Sequence, residues 1–287
     1  MPGTLTLCAT PIGNLEDISM RALRALREAD VIAAEDTRNS IRLLNHFEIR
    51  TPMTSYHEYN KYDKGRVLVR QMLDGGNVVL ITDAGTPGIS DPGEELVRMA
   101  WEAGITVTAV PGPAAVITAL IISGLPTRRF AFEAFLPHDK KERRQVLSEL
   151  QKETRTIVLY EAPHRLKKTL QELAGVLGEA RDISLCRELT KLHETVMRIT
   201  IGGACAYYEK EEPRGEYVLV IAGKPAEELK SEAVRQWESM PLEEHMQMYT
   251  DKGMSRKEAM KQVAADRGVS KRDIYQALLE ESNPKSI

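Results

Sequence analysis

Cysteine, aromatic side chains and long apolar runs are all scarce in this chain, and each shortage removes a class of protein. Three cysteines in 287 residues (Cys8, Cys186 and Cys205) are too few and too scattered for a disulfide framework. They read as small buried residues of a reducing compartment, which points to the cytoplasm. No two of the six histidines stand four residues apart and no cysteine pair has metal-ligand spacing, so no metal is expected. The longest apolar stretch, residues 114–125, is shorter than the roughly 20 residues a membrane span needs. The first residues carry no basic segment ahead of an apolar one, so no signal peptide is expected. A dominant charge is lacking too: 39 basic residues face 42 acidic ones, a net charge of −3. That balance excludes a disordered polyelectrolyte and a wholly basic nucleic-acid coat, though not a local basic face. The length exceeds one average domain and suggests two, with a small appendage.

What is present alternates between strand and helix. Residues 4–9, 30–35, 77–82 and 105–110 read as strands. The runs 77–82 and 105–110 resemble strands covered on both faces. Helical patterns lie at 19–29, 39–47, 64–73, 94–103 and 114–122, with Ser19 as an N-cap. Such alternation predicts a parallel sheet. After a boundary near residues 124–126 the style changes. Strand patterns at 130–135, 155–160, 182–187, 195–201 and 215–223 alternate more, predicting a second, mixed sheet with helices near 139–152, 164–177 and 204–211. From residue 226 the chain turns polar and helical. Residues 254–280 read as a helix capped by Ser255, a turn at Gly268 and a second helix, the pattern of a helix-turn-helix. A small helical hairpin for docking fits the same pattern.

The loop at residues 82–93, TDAGTPGISDPG, follows a strand directly. Ligands bind at that edge of open α/β sheets. Gly85, Gly88 and Gly93 allow close backbone approach, and Pro87 and Pro92 stiffen the loop. Pro11 and Gly13 border the same edge, as does the segment at residues 111–115. No G-x-G-x-x-G follows the first strand and no G-x-x-x-x-G-K-[ST] occurs, which disfavours a dinucleotide fold and a P-loop. Charged groups also follow strands. Glu35, Asp36 and Arg38 stand after one, and Tyr56, His57 and Glu58 after another. Glu161, His164, Arg165, Glu188, Lys191 and Glu194 occupy the matching places in the second half. They suit substrate alignment or proton transfer, or else simple helix starts. Residues 127–168 hold eleven Lys/Arg against six Asp/Glu and three of the four phenylalanines. Arg128, Arg129, Lys140 and Lys141 flank those aromatics, a pattern fit for RNA phosphates and bases, or for a core strand beside a wet helix.

Taken in order, ATPIGNLEDIS, AAEDTR, SYHEYN, ITDAGTPGISDPG, VPGPAA, FLP, YEAPHRL, RELTKLHE and RGEYVLVI resemble the ribosomal RNA small subunit methyltransferase I family. The likeness runs from about Gly3 to Gly223, and the tail is similar to that family's helix-turn-helix extension. The resemblance implies the tetrapyrrole-methylase-like, class III methyltransferase fold. It implies two α/β domains, 1–113 and 114–225, with the cofactor cleft between them, and a helical extension at 240–287. It implies S-adenosylmethionine as cofactor and 2′-O-methylation of a cytidine in the decoding region of 16S ribosomal RNA within the small subunit. A homodimer is implied as well. By the same resemblance Pro11, Ala84, Gly85, Thr86, Ile89, Ala114, Ala115, Glu161 and Leu189 line the cofactor. Asp36, Glu188 and Lys191 are the catalytic candidates, for alignment or proton removal. Arg38, Tyr56, His57, Arg128, Arg129, Lys140, Lys141 and Arg165 are the substrate candidates, with His57 also eligible for the proton. Gly85-Thr86-Pro87 replaces the acidic Gly-Asp-Pro of tetrapyrrole-type relatives, which disfavours a porphyrin-like substrate. Two other readings stay open: a small-molecule methyltransferase of the same fold, and a ligand-sensing nucleic-acid-binding regulator.

Overall fold

A computed structural model describes residues 1–282. The first sheet is built from β1 (Thr4–Cys8), β2 (Val31–Ala34), β3 (Met53–Ser55), β4 (Val78–Ile81) and β5 (Thr106–Val110). All neighbours are parallel, in the order β3-β2-β4-β1-β5. Parallel pairs need crossovers. These are α1 (Met20–Glu28), α2 (Thr37–His46), α3 (Lys61–Leu73) and α4 (Gly93–Glu102). The Ser19 hydroxyl accepts the Ala22 N–H at 3.0 Å and starts α1, as its position in the sequence suggests. β2 and β4 are buried at every position because each face meets its own apolar cluster. Leu80 packs with Leu68, Met72 and Leu96, while adjacent Ile81 packs with Leu23, Leu26 and Leu44.

Residues 105–110 depart from expectation. β5 is an edge strand, and Thr106, Thr108 and Ala109 are exposed rather than covered. The alternating threonines carry that difference. A strand buried on both faces has no reason to interleave hydroxyls with its apolar residues.

The second sheet follows α5 (Ala115–Ile122). It contains β6 (Phe130–Phe135), β7 (Thr156–Glu161), β8 (Asp182–Arg187), β9 (Thr195–Thr200) and β10 (Tyr217–Ile221), in the order β6-β7-β10-β8-β9. β6 and β7 run parallel and the other pairs antiparallel, the mixed sheet that the alternation predicts. One face is covered by α6 (Lys140–Leu150), α7 (Pro163–Leu177) and α8 (Ile201–Lys210), around Ile157, Leu159 and Leu219. The other carries α5, whose Val116 and Leu120 pack on Val158 and Val220. Both sheets belong to one compact unit. Among the described residues no helix is long and apolar enough to cross a membrane.

A second unit combines residues 151–154 with those from 223 onward. It holds α9 (Ala226–Glu238), α10 (Leu242–Thr250), α11 (Arg256–Asp266) and α12 (Lys271–Ser282). Ser255 and Glu258 form a reciprocal capping box at α11. Gly268, at φ +63°, turns the chain toward α12. This is the helix, glycine turn and second helix read from the sequence. Residues 283–287 of the expected extension lie outside the described residues.

His245 is fully buried in this unit and stacks on Trp237 with ring centroids 4.2 Å apart. Arg267 Nε donates to its Nδ1 at 3.2 Å, so Nε2 carries the proton and faces Asp266 Oδ2, also at 3.2 Å. A second proton would have to sit on Nδ1 against a guanidinium. Burial, aided by Arg267, holds the imidazole pKa below its ordinary 6.5 despite Asp266. The unfolded chain therefore takes up the proton first, and stability falls as pH drops through about 6.5. We expect the urea midpoint of this unit, followed by Trp237 fluorescence in a Trp101→Phe background, to be lower at pH 5.5 than at pH 7.5. His245→Gln should flatten that difference; an equal slope in both proteins removes His245 as its source.

Candidate functional site

Three strand-end loops of the first sheet meet. Thr10, two residues past β1, and Gly85, four past β4, exchange backbone hydrogen bonds of 2.9 and 3.1 Å. Gly85 is buried at φ +86°, and a Cβ there would meet Ile12 Cγ2 at 3.2 Å and the Pro113 carbonyl at 3.6 Å. The Thr86 hydroxyl donates to that same carbonyl at 3.0 Å, joining the loops after β4 and β5. The Asp91 carboxylate closes the far side by accepting the N–H groups of Gly88, Ile89 and Gly93. Its role is internal to the loop. The Thr10 hydroxyl is buried and has no partner among the described residues. Thr10 carries no signal in the sequence, because a threonine at a strand end has no distinguishing pattern.

The second half closes on these loops. Ile12, Ala114, Ala115 and Leu189 pack into one apolar cluster with Val116 and Tyr160. Gly13 lies so close to the turn after β8 that a Cβ would meet Lys191 Cγ at 2.5 Å and Thr190 Oγ1 at 2.8 Å. Asn14 N–H donates to Thr190 Oγ1 at 3.1 Å. Glu188 and Thr190 have φ of 52° and 65°, left-handed values that non-glycine residues adopt at a cost. Pro11, Ala84, Gly85, Thr86, Ala114, Ala115 and Leu189 thus belong to loops that converge. Ile89, in the same loop as Gly85, is exposed.

Lys191 Nζ stands between two carboxylates, 3.0 Å from Glu188 Oε1 and 2.8 Å from Glu216 Oε2. Burial lowers its pKa, but the two carboxylates outweigh burial and raise it overall. Burial raises the Glu188 pKa, yet the Glu216 backbone N–H and the Lys191 ammonium bring it below the usual carboxylate range. A general base near neutrality needs the opposite tuning, so this pair is suited to alignment rather than proton removal. Glu216 was not among the sequence candidates. It opens a strand pattern of its own, 25 residues downstream.

Asp36 belongs elsewhere. It caps α2, accepting the Arg38 N–H at 2.8 Å and its guanidinium at 2.7 Å. Arg38 holds the Asp36 carboxyl at about 2, which makes it a weak base. β2 lies two strands from β1, about 10 Å at the usual spacing, so Asp36 and Lys191 occupy separate parts of the edge. Tyr56 is 1 % exposed and donates to the Pro92 carbonyl at 3.1 Å, a core residue rather than a substrate contact. His57 follows edge strand β3. Asn60 Oδ1 accepts the His57 backbone N–H at 2.8 Å, which leaves Asn60 Nδ2 to donate to His57 Nε2 at 3.3 Å. The neutral ring therefore carries its proton on Nδ1, which is buried with no partner among the described residues.

The structure corrects the placement of Glu161. Alternation sends Tyr160 to the α5 face, where its hydroxyl accepts the Val116 N–H at 3.1 Å. Glu161 points to the other face, 2 % exposed and bonded to Thr169 and the Ala162 N–H. Tyr160, not Glu161, borders the convergent loops. The period-two rule applied to residues 155–160 contained that signal. The basic flanks separate too. Arg128 and Arg129 precede β6, whereas Lys140 and Lys141 follow it, with a six-residue strand of about 20 Å between them. Arg165 stands at the Lys140 end, donating to the Leu136 carbonyl at 2.7 Å. Among the described residues no group of three His, Cys, Asp or Glu side chains is placed to hold a metal.

The chain matches known proteins along most of its length. The family described as Tetrapyrrole (Corrin/Porphyrin) Methylases matches residues 4–205. A Ribosomal RNA small subunit methyltransferase I from Halalkalibacterium halodurans is 50 % identical over 273 residues, 95 % of this chain and 93 % of that protein. The protein of the same description from Synechocystis is 46 % identical over 278 residues, 97 % of this chain and 98 % of its own length. Among solved structures, uroporphyrin-III C-methyl transferase from Thermus thermophilus complexed with S-adenyl homocysteine superposes with a TM-score of 0.55. The match is 20 % identical and covers 77 % of this chain and 97 % of that one, which establishes a shared fold.

Proposed function

The chain belongs to the tetrapyrrole methylase family and, within it, to the ribosomal RNA small subunit methyltransferase I proteins, and on that premise we propose that it methylates a ribose 2′-hydroxyl of 16S ribosomal RNA from S-adenosylmethionine. The acceptor is a cytidine of the decoding region, and the substrate is the small ribosomal subunit. The convergence of the three loops on Gly85 is the observation that carries the reading. Pro11, Ala84, Gly85, Thr86, Ile89, Ala114, Ala115 and Leu189 would hold the cofactor. They fit it: a buried hydroxyl at Thr10 awaits a partner, Gly85 leaves space that a Cβ would fill, and an apolar cluster lies alongside. When bound, that group supplies a methyl already activated on a sulfonium.

The protein's own residues supply geometry and exclude water. Tyr160 fixes the start of α5 through the Val116 N–H. The Gly13–Lys191 contact brings the turn after β8 onto the first loop. Lys191, kept cationic between Glu188 and Glu216, orients the acceptor hydroxyl. Its proton leaves to solvent, because neither Lys191 nor Asp36 is tuned to take it. Arg38, His57 and Arg165 face the RNA, with Lys140 and Lys141 at one end of β6 and Arg128 and Arg129 at the other. Divisions at 1–113, 114–225 and 240–287 suit this division of labour. Exposed Ile117, Ile121 and Ile122 on α5 support a homodimer, and the three unpaired cysteines support a cytoplasmic enzyme.

The test is methyl transfer from radiolabelled S-adenosylmethionine to small subunits lacking the modification, followed by mapping of the label. Label on a cytidine 2′-oxygen of the decoding region is expected. Label on a precorrin-type acceptor, with none on RNA, overturns the reading.

A further inference from the structure

At the carboxyl ends of β6 and β7 lies a cavity of about 260 Å³, lined by His138, Arg143, His164, Arg165, Lys168 and Thr169. Its cations are held from behind. Arg143 is buried and donates to Glu172 at 2.6 Å and to Thr169 at 2.8 Å. Arg165 is fixed by the Leu136 carbonyl and by Glu161 Oε1 at 3.4 Å, with Nη1 3.2 Å from His138 Nε2. An arginine only donates, so His138 accepts there and is steered by it. Lys168 lies 3.8 Å from Glu172, a carboxylate that already pairs with Arg143. Three permanent cations thus share two carboxylates, and two histidines add further donors. The guanidinium N–H groups are taken up within the wall, so the exposed Lys168 ammonium, the imidazoles and the excess positive charge are what the cavity offers an oxyanion.

We propose that this cavity seats a backbone phosphate of single-stranded RNA next to the acceptor nucleotide. The inference rests on the reading of the substrate as RNA, and it adds His138, His164 and Lys168 to the substrate surface. Its position supports a phosphodiester rather than a free anion. Phe135, half exposed, ends the same strand three residues before His138. Its ring stands 5.6 Å from that of Tyr160, which in turn contacts the start of α5 beside the convergent loops. An exposed aromatic beside directed cations is how proteins hold unstacked nucleotides.

The experiment measures binding of a fluorescent decoding-region RNA oligonucleotide to the full-length protein across a salt series. The double variant His164→Ala/Lys168→Ala should bind about tenfold more weakly at low salt, the effect of one lost charge-assisted contact. Its log–log salt slope should flatten by about 0.7, one phosphate on a single strand. Affinity for S-adenosylmethionine, by calorimetry, should be unchanged, and Lys168→Arg alone should keep the wild-type slope. Wild-type affinity and slope in the double variant overturn the cavity's role. Failure of the wild-type protein to bind or methylate any RNA overturns the underlying reading instead, so the two failures are distinct.

Discussion

Gly85→Val is expected to abolish S-adenosylmethionine binding while leaving a folded protein. At φ +86° an L-residue is strained by about 1–2 kcal/mol, and β-branching adds to that. The new Cβ would press on Ile12 Cγ2 at 3.2 Å, and the γ-methyls would need room beyond it. Relief by rotation is blocked, because paired hydrogen bonds to Thr10 fix the Gly85 backbone. The displaced residue, Ile12, belongs to the apolar cluster that includes Ala114, Ala115 and Leu189. Strain and lost space therefore act on one place. Calorimetry should show affinity reduced more than about 100-fold, near 2.7 kcal/mol. Gly104→Val is the control. Gly104 has φ +70° but nothing within 4 Å of a Cβ, so it shares the backbone strain without the steric conflict. It should lower the melting temperature by no more than Gly85→Val does and leave binding intact. Equal affinities in the two variants would take the loop out of the site.

The elements that the sequence showed best are those whose burial is uniform. β2 and β4 are apolar at each position because helices cover both faces, and a continuous run is hard to mistake. β5 misled because an edge strand can carry valines on its half-covered face while its threonines meet solvent. β3 has three residues, too few for a period to register. The mixed character of the second sheet was visible, since alternation in its strands reflects neighbours that differ from those of a parallel sheet.

The site was legible where backbone does the work and obscure where side chains do. Glycines and prolines mark the convergent loops, since few residue types tolerate those turns. A charged residue gives no such mark. Asp36 reads like a catalytic carboxylate in the chain and proves to be a helix cap held by Arg38. Glu161 differs from Tyr160 by one residue and by the whole thickness of the sheet. Arg128 and Lys140 look like one basic patch until a strand is laid between them. Glu216 joins Lys191 only because β10 lies beside β8. Linear proximity stands in poorly for sheet order, and sheet order decides which charges meet.

Lys191→Met should reduce methyl transfer by about 100-fold or more, the scale of a lost alignment or proton-handling group. Affinity for S-adenosylmethionine should stay within about threefold. The reason lies in how the lysine is divided. Its stem packs against Gly13, and methionine preserves much of that contact. Its ammonium sits between Glu188 and Glu216, and methionine removes it, leaving two carboxylates without their shared cation. Stability should fall by no more than about 1 kcal/mol, since the side chain is 31 % exposed and such pairs contribute little. Lys191→Arg separates charge from shape: partial recovery of turnover assigns the effect to the cation. Glu216→Gln, at an 80 % exposed side chain, should cost far less than Glu188→Gln, because the Glu188 carboxylate accepts the Glu216 backbone N–H as well as pairing with Lys191. Wild-type turnover in Lys191→Met excludes the ammonium from the reaction. A joint collapse of turnover and cofactor affinity would instead identify Lys191 as the clasp that holds the turn after β8 against the first loop.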